Sequence, residues 1–294
     1  RPDDEQQSEF LAARDNWFRP TQIKTGPDGA LYIADMYRQV IEHPQYIPPA
    51  MQEKLDLRAG HDKGRIYRVI PSDGFLHYSV PWPFDKTGDK ELVRAIYSSS
   101  GMVRDLAHRM LLWRHSGQPD KQIVAALRKA VLEESVSETE VRGTVGESWT
   151  NSSPLGRLHA LSLLDAFHSL TVDDLPRALQ DKHPAVRRRV LQAIENLEGD
   201  LPDSLINQLS GMGRDPDPFV RMQFAYTLGH PKFASLGHEL GKLLYRERDD
   251  KYLVAAAMSS IHAQNVASVV ANVFESAGKE PLPPQLASTL LGLA

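Results

Sequence analysis

None of the 294 positions of the chain is a cysteine. A structural disulfide, a thiolate zinc site and a covalently attached c-type haem are therefore excluded within it. The redox compartment stays open, because oxidising and reducing compartments both hold cysteine-free domains. No segment approaches the roughly 18 consecutive apolar residues that a membrane helix needs. Positive charge is not in excess either: 34 Lys and Arg face 38 Asp and Glu, a formal net charge of −4. No global basic field invites nucleic acid or an anionic membrane. The chain starts RPDDEQQSEF, without an initiator Met, a basic start or an apolar run, so this start is not a signal peptide. It ends LASTLLGLA, in a helical pattern. The expectation is a piece of a longer protein, trimmed at both ends.

What is present is ordinary globular composition, 41% hydrophobic and 24% charged, at a length that suits one large or two modest domains. The first seventy or so residues read as strand and loop. Residues 22–25 are a short extended run. Gly26-Pro27-Asp28-Gly29 is a turn, since Pro fixes φ and Gly admits positive φ. Residues 30–34, ALYIA, follow as a strand with Leu31 and Ile33 on one face and Tyr32 on the other. Residues 64–70, GRIYRVI, form a third, with Ile66 and Arg68 opposite Tyr67 and Val69. Three strands alone leave open edges and make better sense as part of a β-propeller blade. Residues 35–63, rich in His, Tyr, Pro and Arg, are too long for a tight hairpin and carry the polar chemistry. Within them Pro48-Pro49 and AMQEKLDL predict one short helix.

Residues 73–89, with Gly74, Pro81, Pro83 and Gly88, read as a linker between an incomplete blade (1–72) and a helical part (90–294). The helical part repeats. DKHPAVR from Asp181 and DPDPFVR from Asp215 share D-x-x-P-x-V-R at a spacing of 34 residues, and the same step reaches DDKYLVA from Asp249. Pro154 with Arg157, and Val103 with Arg104, keep parts of the pattern. Asp caps or ends a turn and Pro opens a helix at its first position. Arg, one turn in, can reach the Asp of its own or the adjacent repeat. The apolar sets Val190, Leu191, Ile194 and Phe224, Ala225, Leu228 form stripes that no single repeat can bury. Stacked helix pairs bury them, which predicts a mainly α protein: a HEAT-like α-solenoid of about five pairs behind the blade remnant. Residues 133–153, rich in Ser, Thr, Gly and Glu, read as an inserted loop, and Asn151-Ser152-Ser153 matches a glycosylation sequon that is common by chance.

The stretch from Asn16 to Val69, with WFRP, GPDGALYIADMY, an insertion and KGRIYRV in that order, resembles the closing part of the propeller in the PVC-type haem-binding family of membrane-bound dehydrogenases. That family joins a glucose/sorbosone-dehydrogenase-like propeller, a HEAT-like region and a cytochrome c domain. The resemblance implies a periplasmic or secreted quinoprotein-like sugar or alcohol dehydrogenase, with a quinone such as pyrroloquinoline quinone and a haem c lying outside this chain. It implies as partners the remaining blades and the cytochrome domain of the same polypeptide, and no activity for this piece alone. Two alternatives stand beside it: a non-catalytic module that binds protein or polysaccharide on the concave face of the solenoid, and a calcium-dependent lactonase-type hydrolase with Asp35 and Asn16 as ligands.

Candidate residues follow the second strand. Arg19, Arg38 and Arg58 suit the carboxylates of a quinone, because a guanidinium binds a carboxylate bidentately. His43 or His61 suits the base beside a substrate hydroxyl. Asp35 suits orientation of a histidine or a calcium ion, and Tyr37 stands with it at the strand end. Against this, Asp35 and Tyr37 equally suit a role in holding the turn, and His61-Asp62-Lys63 a solvated turn. Trp17 and Phe18 read as blade packing. Arg187-Arg188-Arg189 is a solvated helix face, with Arg187 in an Asp–Arg ladder. His108, His159, His168 and His183 show no metal spacing, and no metal site is assigned.

Overall fold

The computed structural model describes residues 6, 9–26, 28–72, 85–98, 100–132, 141–142, 148–149 and 153–292. Pro27 of the expected turn, residues 73–84 of the expected linker, most of the 133–153 insertion and Asn151 and Ser152 of the sequon lie outside these. The described residues fall into two compact units, one ending at residue 72 and one beginning at residue 85. The protein is mainly helical with a small three-stranded sheet.

The first unit is an antiparallel sheet in the order β1 (Pro20–Thr25), β2 (Leu31–Asp35), β3 (Arg65–Val69). Ile23 pairs with Ile33 and Ile33 with Tyr67, while Thr25, Leu31 and Val69 line up one step along. Directly paired residues share a face, so these six form the apolar side that period-two alternation predicts. Only the central strand is covered: Ile33 is buried, whereas Ile23 is 56% exposed and Ile66, on the opposite face, 69%. The β1–β2 turn closes through the Gly26 amide on the Ala30 carbonyl (2.8 Å), with Gly29 at φ 78°. Short β2 ends at Asp35, and the insertion holds one 3₁₀ turn (Pro44–Tyr46) and α1 (Pro49–Gln52), the helix expected after Pro48.

The second unit runs α2 (Asp89–Ala95), α3 (Gly101–His115), α4 (Lys121–Leu132), β4 (Val141–Arg142) paired with β5 (Ser148–Trp149), α5 (Pro154–Ala166), α6 (Leu175–Ala178), α7 (Pro184–Asn196), α8 (Asp203–Gly211), α9 (Pro218–Leu228), α10 (Gly237–Arg246), α11 (Lys251–Ser259), α12 (Val266–Ala277) and α13 (Pro284–Leu291). Helices α3, α5, α7, α9 and α11 pack each on the next of this series, while α4 packs on α6, α6 on α8 and α10 on α12. The stripes named above are the contact: Val190, Leu191, Ile194, Phe224, Ala225 and Leu228 are all fully buried. Pro184 and Pro218 occupy the first turn, as their fixed φ favours. The capping side chains, however, are His183 and Asp217, not the motif aspartates.

Those aspartates are used otherwise. Asp181 accepts from the His183 amide (2.8 Å) and Asp215 from the Asp217 amide (2.9 Å). Each then takes a guanidinium from the preceding helix of the row. Arg157 forks onto Asp181 at 2.5 and 2.8 Å, and Arg187 onto Asp215 at 2.7 Å for both nitrogens. Arg187 also donates to the Asp181 carbonyl (2.7 Å), so it ties its own repeat to the next. Arg221 repeats the pattern with the Asp215 carbonyl (2.8 Å) and with Glu247, more loosely, at 3.2 and 3.4 Å.

Candidate functional site

Asp35 organises the end of β2. Its side chain is fully buried. One oxygen accepts from the Arg19 amide (2.8 Å) and the Tyr37 amide (2.9 Å), which locks β1 to the strand end and turns the chain. The other oxygen is buried without a hydrogen bond, 4.0 Å from the Arg65 Nε. Tyr37 follows at φ 50°, a left-handed conformation that is uncommon for a side chain of this size. Its ring lies 3.8 Å beneath the Arg65 guanidinium and 5.7 Å from Trp17, and its hydroxyl donates to Asp15 at 2.5 Å. That hydrogen bond first, then the one from the Trp17 amide, lowers the Asp15 pKa, and the Asp15 hydrogen bond raises that of Tyr37. Gly60, at φ 88°, passes so close that a Cβ there would meet the Tyr37 carbonyl at 2.2 Å.

The other expected residues sit around this centre with backbone duties. Arg19 donates from its guanidinium to the carbonyls of Asn16 and Phe18, and its Nε is buried without a partner. Arg38 donates to the Arg58 carbonyl (2.9 Å), while Gln39 binds Ala59 through the backbone, so the two ends of the insertion are stapled together. His43, exposed, caps the 3₁₀ turn by accepting from the Gln45 amide (3.2 Å). His61, also exposed, lies with Nδ1 3.2 Å from the Arg58 carbonyl. Among the described residues the Arg58 side chain makes no hydrogen bond or ion pair. The structure therefore brings Arg19, Asp35 and Tyr37 together and Arg38, Arg58 and His61 together, and places His43 on the 3₁₀ turn.

Asp28 does more than form the turn. Nearly buried, it accepts from the Ala30 amide (3.1 Å), the Tyr32 hydroxyl (3.0 Å) and Arg68 Nε (2.7 Å). Burial pushes its pKa up, but these donors, Arg68 first, outweigh it and hold the carboxyl below its usual range. The available signal was strand alternation: Tyr32 and Arg68 are directly paired.

In the helical unit α3 and α5 face each other through His108 and His159, whose Nδ1 atoms are 3.2 Å apart. Along the same row Arg189 reaches Ser162 (3.0 Å) and Asp165 (2.5 Å), and Glu195 accepts from Thr227 (2.7 Å). Arg188 alone of the arginine triplet is exposed. His168 lies beyond the end of α5, at φ 51°.

A family model described as Domain of unknown function (DUF7133) matches residues 1–73. No curated protein matches the chain. Among the described residues no group of three or more His, Cys, Asp or Glu converges to hold a metal ion, and no helix is long and apolar enough to cross a membrane. Without cysteine the chain cannot bind haem c covalently. The guanidinium contacts of Arg19 and Arg38 are with backbone carbonyls.

Proposed function

We propose that the chain is a structural section of an extracytoplasmic quinoprotein-like dehydrogenase, in which the sheet is the closing blade of a β-propeller and the helices a HEAT-like solenoid. In this reading the rest of the propeller and a c-type haem lie elsewhere in the same polypeptide. The observation that carries it is the unpaired, buried oxygen of Asp35 beside Arg65, at a strand end from which a polar insertion departs. Propeller sites are built at such strand ends, from loops of several blades. The exposed β1 and the uncovered Ile23 and Ile66 support a sheet with neighbours on either side. The test is expression of the full-length gene with added quinone, followed by absorbance and by dye reduction with aldoses and alcohols. Quinone-dependent dye reduction that falls in Asp35→Asn supports the reading; a loaded protein with no turnover on any sugar or alcohol contradicts it.

A second reading, a helical surface that binds a protein or polysaccharide, is favoured by Phe219, Tyr226 and Tyr252, which are 60%, 48% and 64% exposed on the neighbouring helices α9 and α11. Replacing all three with Ala then abolishes binding on a glycan array or to a purified partner without lowering the melting temperature; undiminished binding contradicts it.

A further inference from the structure

We propose that the cleft between α8 and α10 binds the phosphate group of a small polar molecule, held by Arg214 on one repeat and by Lys242 and Arg246 on the next. The site lies within the helical unit, apart from the strand-end cluster, and does not rest on the dehydrogenase reading. It arises where the packing of one row of helices is interrupted. That row steps from α4 to α6 to α8 and resumes from α10 to α12. Between α8 and α10 the chain inserts a 3₁₀ turn, Met212–Arg214, which packs on both. Beside the turn is a cavity of about 450 Å³, within the size range of small-molecule sites. Among the described residues no apolar side chain lines it, which selects a hydrophilic ligand.

The charges are arranged for an anion. Glu239, Lys242 and Arg246 recur at helical spacing, so one face of α10 presents all three to the cavity. Glu239 is taken by Lys242 Nζ (3.0 Å) and by Nε2 of His238 (3.3 Å). Arg246 is oriented by the Gly213 carbonyl on Nη2 and by Glu247 on Nε (3.0 Å), which leaves Nη1. Arg214 is exposed, and among the described residues its side chain makes no hydrogen bond or ion pair. Three cations against one carboxylate leave two net positive charges in the lining. A phosphate monoester carries about −1.5 to −2 at pH 7 and matches them; a sulfate ester or a carboxylate, singly charged, leaves one unmatched. A guanidinium meets phosphate bidentately and an ammonium meets it as a point charge. The hydroxyls of Ser210 and Ser276, on α8 and α12, add neutral donors.

The experiment is isothermal titration of the chain in low-salt HEPES at pH 7.5, with glucose 6-phosphate, inorganic phosphate and methyl sulfate as probes. One phosphate per chain is expected, bound at least about tenfold more tightly than methyl sulfate. Arg214→Gln and Lys242→Gln should each lower the affinity at least about tenfold, the loss of one charge-assisted hydrogen bond. Both side chains are exposed, and circular dichroism establishes that the variants fold. Arg188→Gln, at an exposed arginine on α7, should bind as the unaltered chain does. Tighter binding of glucose 6-phosphate than of inorganic phosphate assigns the site to a phosphate ester, and equal binding to the free ion. No saturable binding, undiminished binding in either cleft variant, an equal loss in Arg188→Gln, or methyl sulfate bound as tightly as phosphate overturns the proposal.

Discussion

Arg187 forks onto Asp215 across 28 residues of sequence, both nitrogens at 2.7 Å, while its other arm holds the carbonyl of Asp181. Arg221 stands one repeat further on, but its acid is Glu247 at 3.2 and 3.4 Å, and its contact is looser. Breaking a buried pair from one side strands a charge and costs about 3–5 kcal/mol, and a pair with longer, poorer hydrogen bonds has less to lose. Arg187→Met should therefore lower the unfolding free energy well beyond Arg221→Met. Urea denaturation of the two variants checks the order.

The ladder was largely legible. The spacing of Asp181 and Asp215 put each Arg within reach of two acids, its own and a neighbour's, and Arg187 uses both residues, one through its carbonyl. The next step was not. Extending the 34-residue spacing points to Asp249, but the repeat there has no proline to set the helix start; α11 is capped by Asp250, and the fork slips back to Glu247. The strands and the short helix after Pro48 followed from alternation and proline alone. The roles of His43 and Arg38 did not, because an N-cap and a carbonyl clamp depend on how the insertion returns on itself. The meeting of His108 with His159 depends on the packing of α3 on α5, and a 51-residue separation carries no local signal.

Asp35→Ala removes the acceptor of two backbone amides at once. Each unpaired buried donor costs about 1–3 kcal/mol. Hydrogen exchange at the amides of Arg19 and Tyr37 should accelerate while those of α7 hold their protection. Unchanged exchange at both would show that Asp35 does not hold the strand end.

Acid should weaken the helical unit. The folded-state pKa of His159 lies at about 4, below its ordinary value of 6.5. Between those values the unfolded chain binds a proton that the folded chain does not, so stability rises with pH through this window and is lost as pH falls from 6.5 towards 4. The expected loss is about 1–3 kcal/mol. Thermal unfolding across that range, compared with His159→Gln, should show a flatter profile in the variant.

Two glycines give opposite signs for the same substitution. At Gly241 in α10 an added Cβ would meet the Val269 carbonyl of α12 at 2.6 Å, whereas at Gly211 in α8 it meets nothing within 4 Å. Ala at 241 should cost about 1–3 kcal/mol through overpacking. Ala at 211 should gain up to about 1 kcal/mol from helix propensity. Melting temperatures of the two variants decide it.

The most direct test of repeats coupled through their arginines is a double-mutant cycle with Arg187→Met, Asp215→Leu and the pair together. The predicted interaction energy is about 2–3 kcal/mol, with the double variant more stable than the single-variant losses would add to. Losses that add to within about 0.5 kcal/mol would contradict the coupling.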